Sequence, residues 1–310
     1  MEQGYKSVYK ELVLVTVVGI LFSRFSLGSV IMTIPLLMIA PRVKKLWQVL
    51  LAFAAVLVGT VLWSVIDSKS VIGEAGYGGL LAVSLYLPVC TVVGTATWAA
   101  VSRKSKAGMR KFFLTCIPLV VLALALAVWF SSDSAASTKD ILKQAMLSVF
   151  SEESLGYNFE SVVDLALSFL SISFLPMGML IVGIPVLISE LMLYRYNEAW
   201  QYDFAFMKLP DPFVWGFFGF WVLALTSSLV SAIPLVIYCI AWNVSLGLTV
   251  LFAIQGLSIL VARFRRTSAY FSVGKIVFLV LLLCFLPGIN LVCIVGLPVL
   301  GVLETWFRFR

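Results

Sequence analysis

The stretch Ile240–Arg266, IAWNVSLGLTVLFAIQGLSILVARFRR, decides what kind of protein this is. Crossing a bilayer takes roughly 20 apolar residues at 1.5 Å of rise each, and this run is long enough. It opens beside Trp242, an aromatic suited to the membrane–water interface, and closes on Arg263, Arg265 and Arg266. Two amides, Asn243 and Gln255, lie inside it. An amide facing hydrocarbon without a partner costs several kcal/mol, so both must face protein, water or a ligand.

The rest of the chain repeats the pattern. Its 310 residues are 62% hydrophobic and 12% charged, with a mean hydropathy of +1.07 that no soluble domain shares. Apolar runs fill the whole length, so residues 1–310 read as one integral membrane domain. The fold class expected is an all-α polytopic bundle of about eight to ten membrane segments, with short hairpins at both ends. A net charge of +7 marks cytoplasmic loops here rather than a nucleic-acid partner. The five cysteines all lie in apolar runs, without ligand-like spacing, and read as small buried hydrophobes. The chain has no histidine, which removes His-based acid–base chemistry and most zinc sites. No cofactor or metal is expected.

In chain order, Leu12–Phe22 and Leu27–Ala40 form a tight hairpin with Arg24 at its tip. The first run resembles a signal peptide but lacks a small-x-small cleavage site, so it reads as a retained helix. Trp47–Ile66 is a third span, with the small pair Ala55 and Gly59 suited to close helix contact. Gly76–Val101 and Phe112–Phe130 follow, separated by the basic loop Arg103, Lys104, Lys106, Arg110 and Lys111. Within the polar insertion 131–164, Ser137–Phe150 reads as an amphipathic helix on the membrane surface, or as a lid over a pocket. Leu165–Tyr194 is longer than one straight crossing needs. Its Pro176 and Pro185 predict a kink or break. Glu190 and Arg195 close it, placed to pair. An aromatic, mixed-charge loop leads to Phe213–Tyr238, then Ile240–Val261. Phe271–Phe285 and Ile289–Leu303 form a last hairpin about Pro287-Gly288.

Charge orients these segments. With both termini cytoplasmic, 18 of the 22 Lys and Arg fall on the cytoplasmic side, leaving Arg24, Lys69, Lys139 and Lys143 outside. Residues 131–164 then lie outside, with six acids against two lysines. In this arrangement Arg24, Asn243 and Asn290 approach the outer leaflet from three spans. They are the candidate substrate-binding residues, with Gln255 about 18 Å below Asn243. Intramembrane Asn and Gln also serve to tie helices together, and Arg24 also suits snorkelling to headgroups. No HExxH, Walker A, GxSxG or Asp-rich diphosphate motif is present, so no catalytic residue is assigned and an enzyme is not expected.

The last hundred residues carry a further pattern. Leu209-Pro210-Asp211-Pro212-Phe213-Val214-Trp215 is followed by Phe220-Trp221-Val222-Leu223, Asn243, and Phe252-Ala253-Ile254-Gln255-Gly256-Leu257-Ser258-Ile259. Gly301-Val302-Leu303-Glu304-Thr305-Trp306-Phe307-Arg308-Phe309-Arg310 closes it. Over 209–310 this resembles the YybS-like family of uncharacterised polytopic bacterial membrane proteins, a domain family of unknown function. Its motif residues here are Pro210, Trp215, Asn243, Gln255, Gly256, Glu304, Trp306 and Arg310. Arg308 stands where that family has an acidic or amide residue. The family is distantly similar to the substrate-binding S components of energy-coupling-factor transporters. The resemblance implies a bacterial cytoplasmic membrane, an unidentified small organic ligand, and partners in the form of a coupling subunit and a cytoplasmic ATPase. The coupling subunit would dock on small residues of the first helix, of which Gly19 and Ser23 are the nearest counterparts.

Three functions follow as alternatives. A substrate-binding subunit would capture a solute between the helices of Arg24, Asn243 and Asn290, beneath residues 137–150. A membrane scaffold or assembly factor would work through its basic loops and the aromatic segment 194–213, without a small-molecule site. A lipid-handling protein would open a lateral groove near Pro176–Pro185.

Overall fold

Helices make up every regular element among the residues described by the computed structural model, 2–25, 28–67, 76–103, 108–149, 159–230, 232–267, 272–307 and 309–310. Lys69, Lys104, Lys106, Phe150 and Arg308, all used above, lie outside these residues. The order is α1 (Glu2–Phe22), α2 (Gly28–Ile31), α3 (Ile34–Ile39), α4 (Leu46–Asp67), α5 (Tyr77–Ser102), α6 (Gly108–Phe130) and α7 (Ala136–Val149). Then come α8 (Phe159–Leu193), α9 (Glu198–Ala205), α10 (Pro212–Leu229), α11 (Leu235–Thr267), α12 (Val273–Phe285) and α13 (Ile289–Leu303).

Six helices, α4, α5, α6, α8, α10 and α11, are long and apolar enough to cross a membrane, and α12 and α13 are shorter apolar helices. The bundle is inverted relative to a soluble one only in what it shows outside. Leu14, Leu51, Phe169, Trp215, Val222, Phe278 and Leu291 are all exposed. Lipid tails are as apolar as these side chains, so such a surface costs nothing in a bilayer and a great deal in water. The chain is therefore an all-α integral membrane protein. Its axis is α11: half of its most apolar window is buried, against 17% for α10. Around it the core is filled by Phe53, Phe130, Phe174 and Phe252.

The first hairpin returns as a broken segment. Residues 28–42 form two short helices and a 3-10 turn rather than one helix. Pro35 and Pro41 account for the breaks, since each lacks the N–H a continuous helix would use. Met32, Thr33 and Leu36 on this segment are fully buried, so its irregular backbone sits in protein, where a membrane tolerates it.

The boundary of the seventh span needs correction. Phe213–Tyr238 is not one helix: α10 stops at Leu229, Val230 is extended, and α11 starts at Leu235. Pro234 sets this start, because a helix accepts proline most readily at its beginning. Glu190 also departs from expectation. It accepts from Trp98 Nε1 at 3.1 Å, while Arg195 lies over the Tyr196 ring at 5.3 Å.

Basic loops gather at one end of the bundle. Arg103 donates to the carbonyls of Ala40 (2.6 Å), Val43 (2.7 Å) and Lys44 (3.1 Å), fastening the end of α5 to the loop before α4. A small cavity of about 80 Å³ between Pro41, Trp98, Arg103 and Glu190 lies at this end. At the other end α7 packs on the start of α8. Thr138 Oγ1 donates to Gly76 O at 3.2 Å, and Lys143 pairs with Glu160 (2.7 Å) and Asp164 (2.9 Å).

Candidate functional site

Two buried polar clusters hold the candidates Asn243 and Gln255. The first forms where α8 meets Pro176. A proline ring crowds the preceding turn and forces its hydrogen-bond ladder open. Asn243 of α11, fully buried, fills the opening. Its Oδ1 accepts from Leu175 N at 2.9 Å, and its Nδ2 donates to Ser171 O at 2.8 Å and to Cys239 O at 2.9 Å. Leu175 N–H and Ser171 C=O are the pair an unbroken helix would join to each other. The amide bridges them instead, one of the recognised ways a helix is bent. From α5, Tyr86 donates its hydroxyl to Phe174 O at 2.6 Å. α8 thus stays helical through the predicted kink, patched by side chains from both neighbours.

The second cluster forms a clasp at the basic end. Gln255 Oε1 accepts from Leu209 N at 2.8 Å, and its Nε2 donates to Gly301 O at 2.9 Å. Arg310 donates to Ala205 O (2.7 Å), Met207 O (2.8 Å), Ser258 Oγ (3.0 Å) and Glu304 Oε2 (2.7 Å). Ser258 Oγ donates in turn to Met207 O at 3.0 Å. The Arg310 and Glu304 side chains are 8% and 7% exposed, so this is a buried ion pair. Further bonds from the same guanidinium to the Ala205 and Met207 carbonyls offset the cost of burying the pair, although Arg310 Nε is buried without a partner. Gly256 belongs to the same structure. A Cβ there would strike Leu297 O, and a Cβ at Gly301 would strike Phe252 O, so α11 and α13 cross with their backbones in contact.

Four of the motif residues, Gln255, Gly256, Glu304 and Arg310, therefore meet in one place. The others do not. Asn243 belongs to the Pro176 patch, Trp215 and Trp306 are 72% and 52% exposed, and Pro210 is an exposed residue at the end of the clasped loop.

The three residues proposed to share a substrate have separate surroundings. Asn243 lies among Ser171, Leu175 and Cys239. Arg24 is exposed, with its guanidinium 4.9 Å above the Trp63 ring. Asn290 lies in the first turn of α13, its Oδ1 accepting from Leu291 N at 2.7 Å. Beside the small cavity at the basic end there are two apolar grooves. One, of about 580 Å³, lies between α5 and α6, and one of about 630 Å³ between α1 and α4. None of these three spaces is lined by Arg24, Asn243, Gln255 or Asn290, and none lies along Pro176–Pro185. Gly19 is buried against Met32 O and Val56, which leaves Ser23 as the more open of the two small residues suggested for docking a coupling subunit.

Sequence reasoning missed Tyr86, and it placed Ser258 and Gly301 within the C-terminal pattern without giving either a role. Each takes its meaning only from the helix packed against it. Arg310, counted among the loop charges, has its guanidinium buried. Comparisons with protein-family models, curated proteins and solved structures return no match.

Proposed function

We propose that the protein is an interaction protein of the membrane, a scaffold rather than an enzyme or a solute-binding subunit, and that its working surface is the strap of residues 194–210. The observation behind this is the convergence of Gln255, Ser258 and Arg310 on the backbone of residues 205–209. Gln255, an intramembrane amide that could serve a solute, is occupied instead in fixing a surface segment. That segment is rich in exposed aromatics: Tyr196, Tyr202 and Phe206. Tyr194, Trp200 and Phe204 stack behind them, with centroids 6.2 and 5.7 Å apart. Exposed Arg263 and Arg266 flank the same end. By the positive-inside rule this end faces the cytoplasm. Its partner is a membrane-associated protein with an acidic rim around an apolar face, because rigid aromatics and unpaired arginines are what such a surface recognises. The YybS-like resemblance is compatible with this reading, since three of its motif residues, Gln255, Glu304 and Arg310, take part in holding the strap.

Photo-crosslinking amino acids at Tyr196 and Tyr202, in native membranes, test it, with Leu14 and Phe278 as lipid-facing controls. Discrete protein adducts at the strap and only lipid adducts at the controls are expected. Lipid adducts alone at the strap would refute the scaffold. A small organic solute that copurifies stoichiometrically, and that Asn243→Ala releases without unfolding, would reinstate the substrate-binding reading.

A further inference from the structure

The α1–α4 groove ends beneath a cation that has no carboxylate partner among the described residues. It is lined by Ile20, Leu51, Ala55, Val58, Leu62 and Trp63, all apolar, and faces the bilayer. Leu51 to Trp63 covers about 18 Å of helix, close to the roughly 15 Å thickness of one leaflet's hydrocarbon. At the Trp63 end sits Arg24, its guanidinium over the indole face. Among the described residues no carboxylate comes within ion-pair distance of it; Asp67, one turn beyond Trp63, does not pair with it. Every other cation described at this far end is engaged: Lys143 with two carboxylates and Lys139 over the Phe130 ring.

We propose that this groove and Arg24 form a binding site for one anionic phospholipid. An acyl chain lies between α1 and α4, in contact with Ala54, Ala55 and Val58. The headgroup phosphate meets Arg24, held by the Trp63 ring in the geometry guanidinium adopts on an aromatic. Only a lipid joins a chain of this length to a phosphate at the interface, so the two halves of the site select one ligand class. The half-buried Trp63 indole at the same height suits a membrane-interface anchor.

The test uses the full chain purified in neutral detergent, with phosphatidylglycerol, phosphatidylcholine or inorganic phosphate added. Native mass spectrometry counts retained lipid and thermal unfolding reports stabilisation. One phosphatidylglycerol retained in preference to phosphatidylcholine is expected, with no effect of phosphate alone. Arg24→Gln should weaken retention roughly tenfold, as the loss of a charge-assisted hydrogen bond does, and Arg24→Lys should restore part of it. Ala54→Phe, on the lipid-facing side of the groove, should weaken it too, while Asp67→Asn should not. Equal retention of phosphatidylcholine, or unchanged retention in Arg24→Gln or Ala54→Phe, would overturn the site. So would a dimer formed through this face that excludes lipid.

Discussion

Replacing Asn243 by alanine removes three hydrogen bonds at once, two of them to the backbone of α8. The magnitude depends on whether α8 can repair itself. Hydrogen bonds within membrane bundles average about 0.6 kcal/mol and reach about 1.7, while a buried backbone group left unpaired costs about 1–3 kcal/mol. If Leu175 N–H and Ser171 C=O could simply rejoin, the loss would stay under about 1 kcal/mol, the value of a single net bond. The Pro176 ring opposes that closure, so a loss of about 2–3 kcal/mol is expected, two groups remaining unpaired. Unfolding in mixed micelles, followed by tryptophan fluorescence, measures it. A double-mutant cycle isolates the cause. In Pro176→Ala the ladder regains its missing donor and can close, so Asn243→Ala should cost at least about 1 kcal/mol less there. A cost under about 0.5 kcal/mol, or the same cost in both backgrounds, would refute the bridging role.

The other expectations concern the clasp, the helix crossing and α7. Glu304→Ala strands the buried Arg310 guanidinium, and breaking such a pair costs about 3–5 kcal/mol; Glu304→Gln should lose less, and limited proteolysis in residues 195–210 should track the loss. Gly256→Val should destabilise by about 3 kcal/mol or more, because Leu297 O occupies the space. Gly216→Ala in α10 meets nothing within 4 Å and should be neutral or stabilise by about 0.5–1 kcal/mol; equal effects at the two sites, read by thermal unfolding, would contradict the crossing. Hydrogen bonds to Glu160 and then Asp164 raise the Lys143 pKa above the ordinary 10.5. The tie between α7 and α8 is therefore fully present below pH 10.5 and lost as pH rises through the raised value. Proteolytic cleavage of α7, compared with an unstructured control peptide at each pH, should quicken above that pH, and Lys143→Gln should remove the excess pH dependence.

Most of the fold was legible because a bilayer leaves few choices. Trp47–Ile66 became Leu46–Asp67, and Ile289–Leu303 matched to the residue. Apolar length and terminal charge fix such segments without any knowledge of neighbours. The failures share one cause. Phe213–Tyr238 reads as continuous because hydropathy does not register that Pro234 begins a helix. Pro176 suggests a broken α8, but the patch that keeps it helical comes from Asn243, 67 positions away. The amides were visible as residues needing partners. Which partners they took depended on packing, and their sequence spacing carries no trace of it. The Gln255-Gly256 and Glu304…Arg310 elements pointed to a place where polar side chains meet; the structure supplies its content, a clasp on residues 205–209.

Proton exchange at the Asn243 side-chain amide decides whether this group belongs to the protein or to a ligand. The chain has four asparagines, so selective ¹⁵N labelling gives few enough signals to follow each. With Nδ2 held by two backbone carbonyls inside the bundle, its protons should persist in D₂O for hours, while those of Asn197 and Asn290 vanish at once. Rapid exchange at Asn243, slowed by adding a solute, would show an open polar pocket and contradict the structural role given to it here.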